Sequence, residues 1–302
     1  MKRKLKILFF VLSLIIIQVL MMGCERRDLV DIPTSSVYIK VNWEDELKAK
    51  TQYFYVAVFP QDPKEEIITS FIESDGGYVN VPRGKFDVLI YSYDYESILV
   101  RLTDRFTTSY ATTSNAKPNS ISKLFFNSGA KINSETDSLF FTGTYEALDI
   151  EYADYQYMIE ISPKNIIKHF EVRLKIKNPG SIYDISGFVS GLSGSYLLGR
   201  KDLANDTVSI KTRMHLDNGF LVLKFNTFGL VPNTTHILNI DAVLLNSETR
   251  SFGYDISREM RRIPNGGIII LDSVITVPIV TGGGMGGTVV GWGNEEGVEI
   301  IM

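Results

Sequence analysis

Cysteine is nearly absent from this sequence of 302 residues, in which Cys24 is the only one. A single cysteine excludes a disulfide framework within the chain, so its stability must come from packing. Histidine is also scarce, and His169, His215 and His236 have no spacing that is typical of a metal site. The sequence therefore indicates neither a disulfide scaffold nor a zinc protein.

Clustered positive charge is missing as well. The chain has 31 Lys and Arg residues against 35 Asp and Glu residues. Without the four basic residues among the first 23, 27 remain against 35, which is a net charge of about −8. Because phosphate contacts need clustered lysine and arginine, we expect no nucleic-acid partner.

Motifs that carry chemistry are incomplete where they occur. Residues 281–292, TGGGMGGTVVGW, contain G-x-G-x-x-G, but neither a helix signal nor an acidic residue at the required distance follows. Residues 191–195, GLSGS, lack the G-x-S-x-G order of a nucleophile elbow. A glycosidase needs two carboxylates held ~5–10 Å apart in a cleft, whereas those of this sequence are scattered over polar faces. We therefore predict no enzyme and no catalytic, cofactor-binding or metal-binding residues.

The first 23 residues have the order of an export signal. Four basic residues precede an apolar run from Ile7 to Met22, and the small residue Gly23 ends it. A membrane-spanning helix usually has ~20 apolar residues, so a run of this length favours a cleaved signal over a permanent anchor.

Cys24 follows this signal directly, in an arrangement that resembles the bacterial lipobox. Met21 stands at the position where leucine is usual, which is a mild departure. The resemblance implies cleavage before Cys24 and acylation of its thiol and new amino group. Several acyl chains, palmitate among them, would make membrane attachment permanent, whereas one chain holds only marginally. The alternative is an ordinary small buried cysteine.

Nearly all of the remaining sequence has the pattern of β-strands. In residues 169–178, HFEVRLKIKN, apolar and charged side chains alternate without a break. Similar short segments recur along the chain, and no long segment keeps a helical period. Residues 162–169 and 255–263 are predicted to form short helices. Such a succession of strands is typical of a sandwich or barrel.

The strands form two series, which predict two domains in a chain of this length. We assign residues 1–23 to the signal peptide and residues 24–36 to a polar tether. An N-terminal β-sandwich is predicted at 37–150 and a C-terminal β-sandwich at 151–302.

Several stretches, in their order along the chain, resemble one family. They are CERRDLVD (24–31), VPRGKFDVLIYSYD (81–94), FEVRLKIKN (170–178), GFVSGLSGSYLL (187–198), FNTFG (225–229), GYDIS (253–257) and Trp292 near an acidic end. Together they are similar to the fimbrial anchor lipoproteins of Bacteroidales-type bacteria, the FimB-like minor subunits of type V pili. Phe86 and Ser92 depart from the tyrosine and asparagine of the family pattern.

The resemblance implies an all-β fold of two tandem transthyretin-like β-sandwiches. It also implies a surface-exposed protein, anchored by lipid to the outer membrane and joined to the first shaft subunit of a fimbrium by β-strand addition. Residues 287–302 are a candidate donor strand; the alternative is that they complete the second sandwich. Relatives at a fimbrial tip or acting as stand-alone adhesins leave a cell-adhesion function open. A surface glycan-binding lipoprotein is the alternative function.

Overall fold

The computed structural model describes residues 33–43, 51–62, 64–115, 131–152 and 155–280. The predicted signal peptide, Cys24, most of the tether and residues 281–302 lie outside this part of the chain. The strands that precede residue 166 are β1 (Thr34–Val41), β2 (Tyr53–Pro60), β3 (Ile68–Glu73), β4 (Gly76–Pro82), β5 (Gly84–Ser92), β6 (Ile98–Arg101), β7 (Tyr110–Thr113), β8 (Ile132–Asn133), β9 (Phe141–Ile150), β10 (Gln156–Ile161) and β11 (Lys164–Asn165).

The strands that follow are β12 (Lys168–Lys177), β13 (Ile182–Ser193), β14 (Ser195–Leu197), β15 (Asp202–Leu203), β16 (Thr207–Asp217), β17 (Phe220–Thr227), β18 (Ile237–Leu244), β19 (Thr249–Asp255) and β20 (Gly267–Thr276). One α-helix is described, α1 (Ser257–Arg262), together with two 3-10 turns at Phe106–Thr108 and Pro179–Ser181. The predicted all-β fold is therefore confirmed, and so is the second short helix.

The N-terminal sheet has the strand order β10-β1-β4-β3-β2-β5-β9-β11. All of its pairs are antiparallel except β1 with β10, which run parallel. The sheet encloses a core because alternate residues of each strand point inward, as Val37, Ile39 and Val41 do in β1. The larger aromatic members of this core are Phe54, Phe86 and Phe141.

The C-terminal sheet has the order β19-β18-β13-β16-β17-β12-β20, and the short β8 pairs with β16. In β12, Phe170, Val172, Leu174 and Ile176 are buried, as their alternation with charged residues predicts. Phe170 stacks on Phe225 of β17 with ring centroids 5.3 Å apart. The two sheets thus curl around separate cores, which agrees with the predicted pair of β-sandwiches.

A third, bridging sheet, β15-β14-β7-β6, takes two strands from each half of the chain. The core under it contains Phe59 and Leu89 from the N-terminal sheet and Leu198 and Phe228 from the C-terminal half. Strands β2 and β5 are consequently buried on both faces, which explains why YFYVAVFP (53–60) is apolar almost throughout.

The predicted helix at 162–169 is wrong. The residues form β11 and the start of β12, with Ile166 and Ile167 buried under the bridging sheet. Asn165 Oδ1 accepts hydrogen bonds from the backbone N–H groups of Phe140 (3.0 Å) and Ile167 (3.1 Å), which holds the segment extended. Tertiary contacts here override local propensity.

The predicted domain boundary near residue 150 stays a prediction. The strand pairing adds that β10 and β11, which come after this boundary in the sequence, belong to the N-terminal sheet.

Candidate functional site

The strand that follows the tether, β1, is an internal strand of the N-terminal sheet. Residues 36–41 pair in parallel with 156–161 of β10, and residues 34–40 pair antiparallel with 76–82 of β4. Near the start of β1, Ser35 Oγ donates a hydrogen bond to the carbonyl oxygen of Tyr152 at 2.6 Å. Val37 and Ile39 are each only 1% exposed. The chain is therefore held firmly from its first described strand onward.

The far end of β1 is fixed by polar contacts. Lys40 Nζ lies 2.8 Å from Glu160 Oε1, and Asn42 Nδ2 donates to Glu160 Oε2 at 2.8 Å. The hydrogen bonds from Lys40 and Asn42 lower the pKa of the Glu160 carboxyl. Gly76 lets β4 approach closely here, because its φ is +126° and an added Cβ would lie 2.3 Å from the carbonyl oxygen of Ile39.

At the opposite end of the described chain, β20 is an edge strand. It pairs in parallel with β12, and within the described ranges no strand pairs with its other side. Ile269 and Ile275 point into the core, whereas Ile268 and Ile270 are 57% and 65% exposed. A ten-residue edge with exposed isoleucines is a template for another strand.

The segment after β20 stays attached to the C-terminal sandwich. The backbone N–H of Val277 donates to the carbonyl oxygen of Lys177 at 3.1 Å, and Asn178 Nδ2 donates to that of Val277 at 3.0 Å. The N–H of Val280 donates to Ser181 Oγ at 3.1 Å. The candidate donor strand, residues 287–302, lies beyond the described residues.

Glu135 connects the two halves of the chain. Its Oε1 accepts hydrogen bonds from the backbone N–H of Asn226 at 2.8 Å and from Arg213 Nη2 at 3.0 Å. Burial raises the pKa of the Glu135 carboxyl, and Arg213 opposes that rise. Because Arg213 and Asn226 lie on β16 and β17, this carboxylate fastens the segment before β9 to the C-terminal sheet.

Residues that could have carried chemistry have structural partners. His169 Nδ1 lies 2.8 Å from Asn226 Oδ1. His236 is buried, which lowers its pKa, and its backbone N–H donates to Ser257 Oγ at 2.8 Å. Ser193 Oγ lies within hydrogen-bonding distance of the carbonyl oxygens of Ser195 (2.8 Å) and Ala204 (3.0 Å), which share its single O–H as structural partners. Within the described part of the chain, no cluster of His, Cys, Asp or Glu could hold a metal, and no helix could span a membrane.

Asp241 on β18 is a fully buried carboxyl group. Its Oδ1 accepts a hydrogen bond from Ser251 Oγ at 2.6 Å, and its Oδ2 has no hydrogen-bond partner. Burial raises the pKa of this carboxyl because the charged form is poorly solvated. Since the folded-state pKa lies above the unfolded value, the stability that Asp241 contributes is present at low pH and is lost as the pH rises through the folded pKa.

We expect Asp241→Asn to remove this pH dependence. The stability of the variant relative to the native protein should increase between pH 4, near the ordinary pKa of an aspartate, and pH 8. Urea unfolding at both pH values measures the difference. Asp217→Asn, at the exposed last residue of β16, is the matched control. If the difference in stability between the Asp241 variant and the native protein is the same at both pH values, the expectation is contradicted.

The sequence pattern missed two of these features. The open edge of β20 depends on its position at the end of a sheet, and the only local signal is GIIIL (267–271), which is apolar on both faces although one face is exposed. Glu135 lies in the polar stretch INSETDS (132–138), which has neither a strand period nor a helix period.

Comparisons with known proteins give a family match and a relative that is named as a fimbrial protein. A family model described as a domain of unknown function, DUF5119, matches residues 23–212. A candidate fimbrium anchoring subunit, Fim4B, from Bacteroides ovatus is 26% identical over 317 aligned positions, covering 92% of this chain and 93% of that protein.

Solved structures agree with the fold. A candidate adhesin from Bacteroides ovatus superposes with a TM-score of 0.69 at 20% identity, covering 84% of this chain and 96% of that one. The fimbrial anchor protein Mfa2 from Porphyromonas gingivalis gives a TM-score of 0.52 at 13% identity, covering 80% and 90%. The resemblance to fimbrial anchor proteins that the sequence motifs indicate is thereby confirmed.

Proposed function

The chain belongs to the DUF5119 family, and on that premise we propose that it is a lipid-anchored subunit that holds a fimbrium at the outer membrane. Its similarity to Fim4B along nearly the whole length of both chains supports an anchoring role over a catalytic one. Acylated Cys24 would provide the attachment to the outer membrane, and the polar tether would lead from it to β1. The fimbrial shaft would join by β-strand addition.

The observation that carries this proposal is the contrast between the two ends of the described chain. β1 already lies between β10 and β4, so the N-terminal strand is a part of its own sheet. Among the described strands none pairs with the outer side of β20, so this edge can accept a strand of another chain. A subunit that is closed at its membrane-proximal end and open at the other would end a polymer at the membrane.

β-Strand addition at β20 has a clear physical basis. The unpaired N–H and C=O groups of an edge strand can form a full ladder with an incoming strand. The exposed Ile268 and Ile270 would then be covered by side chains of that strand, which adds apolar burial to the backbone hydrogen bonds.

We expect the double substitution Ile268→Lys and Ile270→Lys to weaken retention of fimbriae. Two lysines on an edge strand disfavour pairing with another chain, since their charges would have to be buried. The ratio of fimbriae on cells to fimbriae shed into the medium should fall by roughly tenfold or more. A tenfold fall corresponds to a loss of about 1.4 kcal/mol of binding free energy between subunit and shaft.

Leu216→Lys is the matched control, because Leu216 is 50% exposed on β16, away from the free edge. Full retention of fimbriae by a folded Ile268/Ile270 variant would show that β20 is not the docking edge. The anchoring role itself is tested separately by gene deletion, which should release fimbriae from cells.

A further inference from the structure

The outward face of β10, β1 and β4 has an ordered arrangement of neutral side chains. One cross-strand row consists of Gln156, Ser36 and Asn80, and the next consists of Met158, Tyr38 and Tyr78. The rings of Tyr38 and Tyr78 have centroids 4.9 Å apart. An amide and hydroxyl row therefore lies beside a row of two tyrosines and a methionine on one face of the sheet.

A shallow groove of about 520 Å³ lies over this surface. Its lining residues are Thr34, Ser36, Tyr78, Asn80, Tyr155 and Gln156. The volume is within the ~300–1,000 Å³ of small-molecule sites. Below, we call these six residues and the groove they line the tyrosine groove.

The aromatic rings of the groove are available to a ligand. Tyr78 is 57% exposed and Tyr155 is 61% exposed. Tyr155 packs edge-to-face against Tyr157, with centroids 5.2 Å apart, and Gln156 Nε2 donates to the Tyr78 hydroxyl at 3.0 Å. These contacts restrict both rings while leaving much of their surface open.

The polar groups of the groove suit a ligand that is rich in hydroxyls. A side-chain amide offers both a donor and an acceptor, and the serine and threonine hydroxyls offer the same. Adjacent hydroxyls of a sugar ring can bond to such pairs, while the C–H face of the sugar packs on a tyrosine ring.

Charge in the groove argues against an ionic ligand. None of the six lining residues carries a charge at neutral pH. Lys40 and Glu160 lie further along the same face but are paired with each other at 2.8 Å. A phosphate or carboxylate would therefore find no free cation among the lining residues, although such ligands bind best through charge-assisted hydrogen bonds.

We infer that the tyrosine groove binds a neutral saccharide. The site lies on the N-terminal sheet, whereas the proposed docking edge β20 lies on the C-terminal sheet, so the two activities can be tested separately. Binding here would give the anchored protein a second contact, with neutral polysaccharide at the cell surface.

Affinity electrophoresis of the detergent-solubilised full chain tests this inference. Native gels containing yeast mannan, dextran or amylopectin serve as neutral probes, and gels containing polygalacturonate serve as the charged probe. We expect at least one neutral polysaccharide to retard the protein. Tyr78→Ala and Tyr155→Ala should each weaken that retardation roughly tenfold, from loss of ring contact.

Tyr183→Ala is the matched control, because Tyr183 is 78% exposed on β13 of the other sheet. Gln156→Leu tests the same site without removing a ring, should an alanine variant fail to fold. No retardation by any neutral probe overturns the inference, and so does equal retardation of native and groove variants. Retardation by polygalacturonate alone also overturns it. If sedimentation shows a dimer that the groove variants abolish, the face binds a second copy of the chain and the inference is likewise wrong.

Discussion

Replacing Cys24 by serine is expected to remove the protein from the outer-membrane fraction and to shed fimbriae into the medium. Serine lacks the thiol that would be acylated, so the variant loses every methylene that would enter the bilayer. Each buried methylene contributes ~0.8 kcal/mol, so the loss of several chains removes the attachment that the acyl groups would provide. Cell fractionation, with electron microscopy of attached and shed fimbriae, measures both effects.

Arg26→Ser is the control for this experiment, because it alters the same tether and leaves the cysteine in place. Mass spectrometry of the native protein provides an independent reading. An unmodified sulfur at Cys24, or normal fractionation of the serine variant, would contradict the proposed anchor.

A second large effect is expected from Phe54→Ala in the N-terminal core. Phe54 is fully buried and packs against Trp43. The ring centroid of Trp43 also lies 5.2 Å from that of Phe141. Removing a buried phenylalanine side chain costs about 3–5 kcal/mol, from lost transfer free energy and from the cavity that remains. That is a large part of the roughly 5–15 kcal/mol by which domains are stable.

Phe71→Ala on the neighbouring strand β3 is the matched control, because Phe71 is 53% exposed. Its edge-to-face contact with Tyr55 limits the expected cost to about 1 kcal/mol. Urea unfolding of the two variants compares the costs directly. Equal losses of stability would show that Phe54 does not carry the core contacts described above.

The strands were predictable where one face is buried and the other is wet. In HFEVRLKIKN, burial alternates with sequence as the pattern requires, because a strand turns successive side chains to opposite faces. The same alternation in β1 predicts Val37, Ile39 and Val41 as core residues, and all three are buried.

Features that depend on distant parts of the chain were not predictable from local pattern. The pattern of YFYVAVFP does not predict what covers its second face. The bridging sheet covers it, and the strands of that sheet come from both halves of the chain. The segment 162–169 has several helix-compatible residues, yet Asn165 and the burial of Ile166 and Ile167 hold it extended. Pairing order and register are properties of the whole fold.

Among the candidate sites, too, one depends on local sequence and the others depend on distant parts of the chain. Cys24 is a sequence-based assignment, since the lipobox resemblance needs only neighbouring residues. The edge of β20 depends on the position of that strand at the end of the described sheet, and the tyrosine groove combines residues of separate strands. Gln156, Ser36 and Asn80 form a row only because β10 and β4 pair with β1 from opposite sides.

The position of β1 also has a mechanical consequence for a chain held at its N-terminal end. A pull along the axis of β1 acts across six residue pairs with β10 and seven with β4. Sheet hydrogen bonds lie across the strands, so this force shears both ladders at once, whereas peeling would break them one after another. Because many hydrogen bonds must then break together, β1 would resist unfolding when flow pulls on the anchored chain.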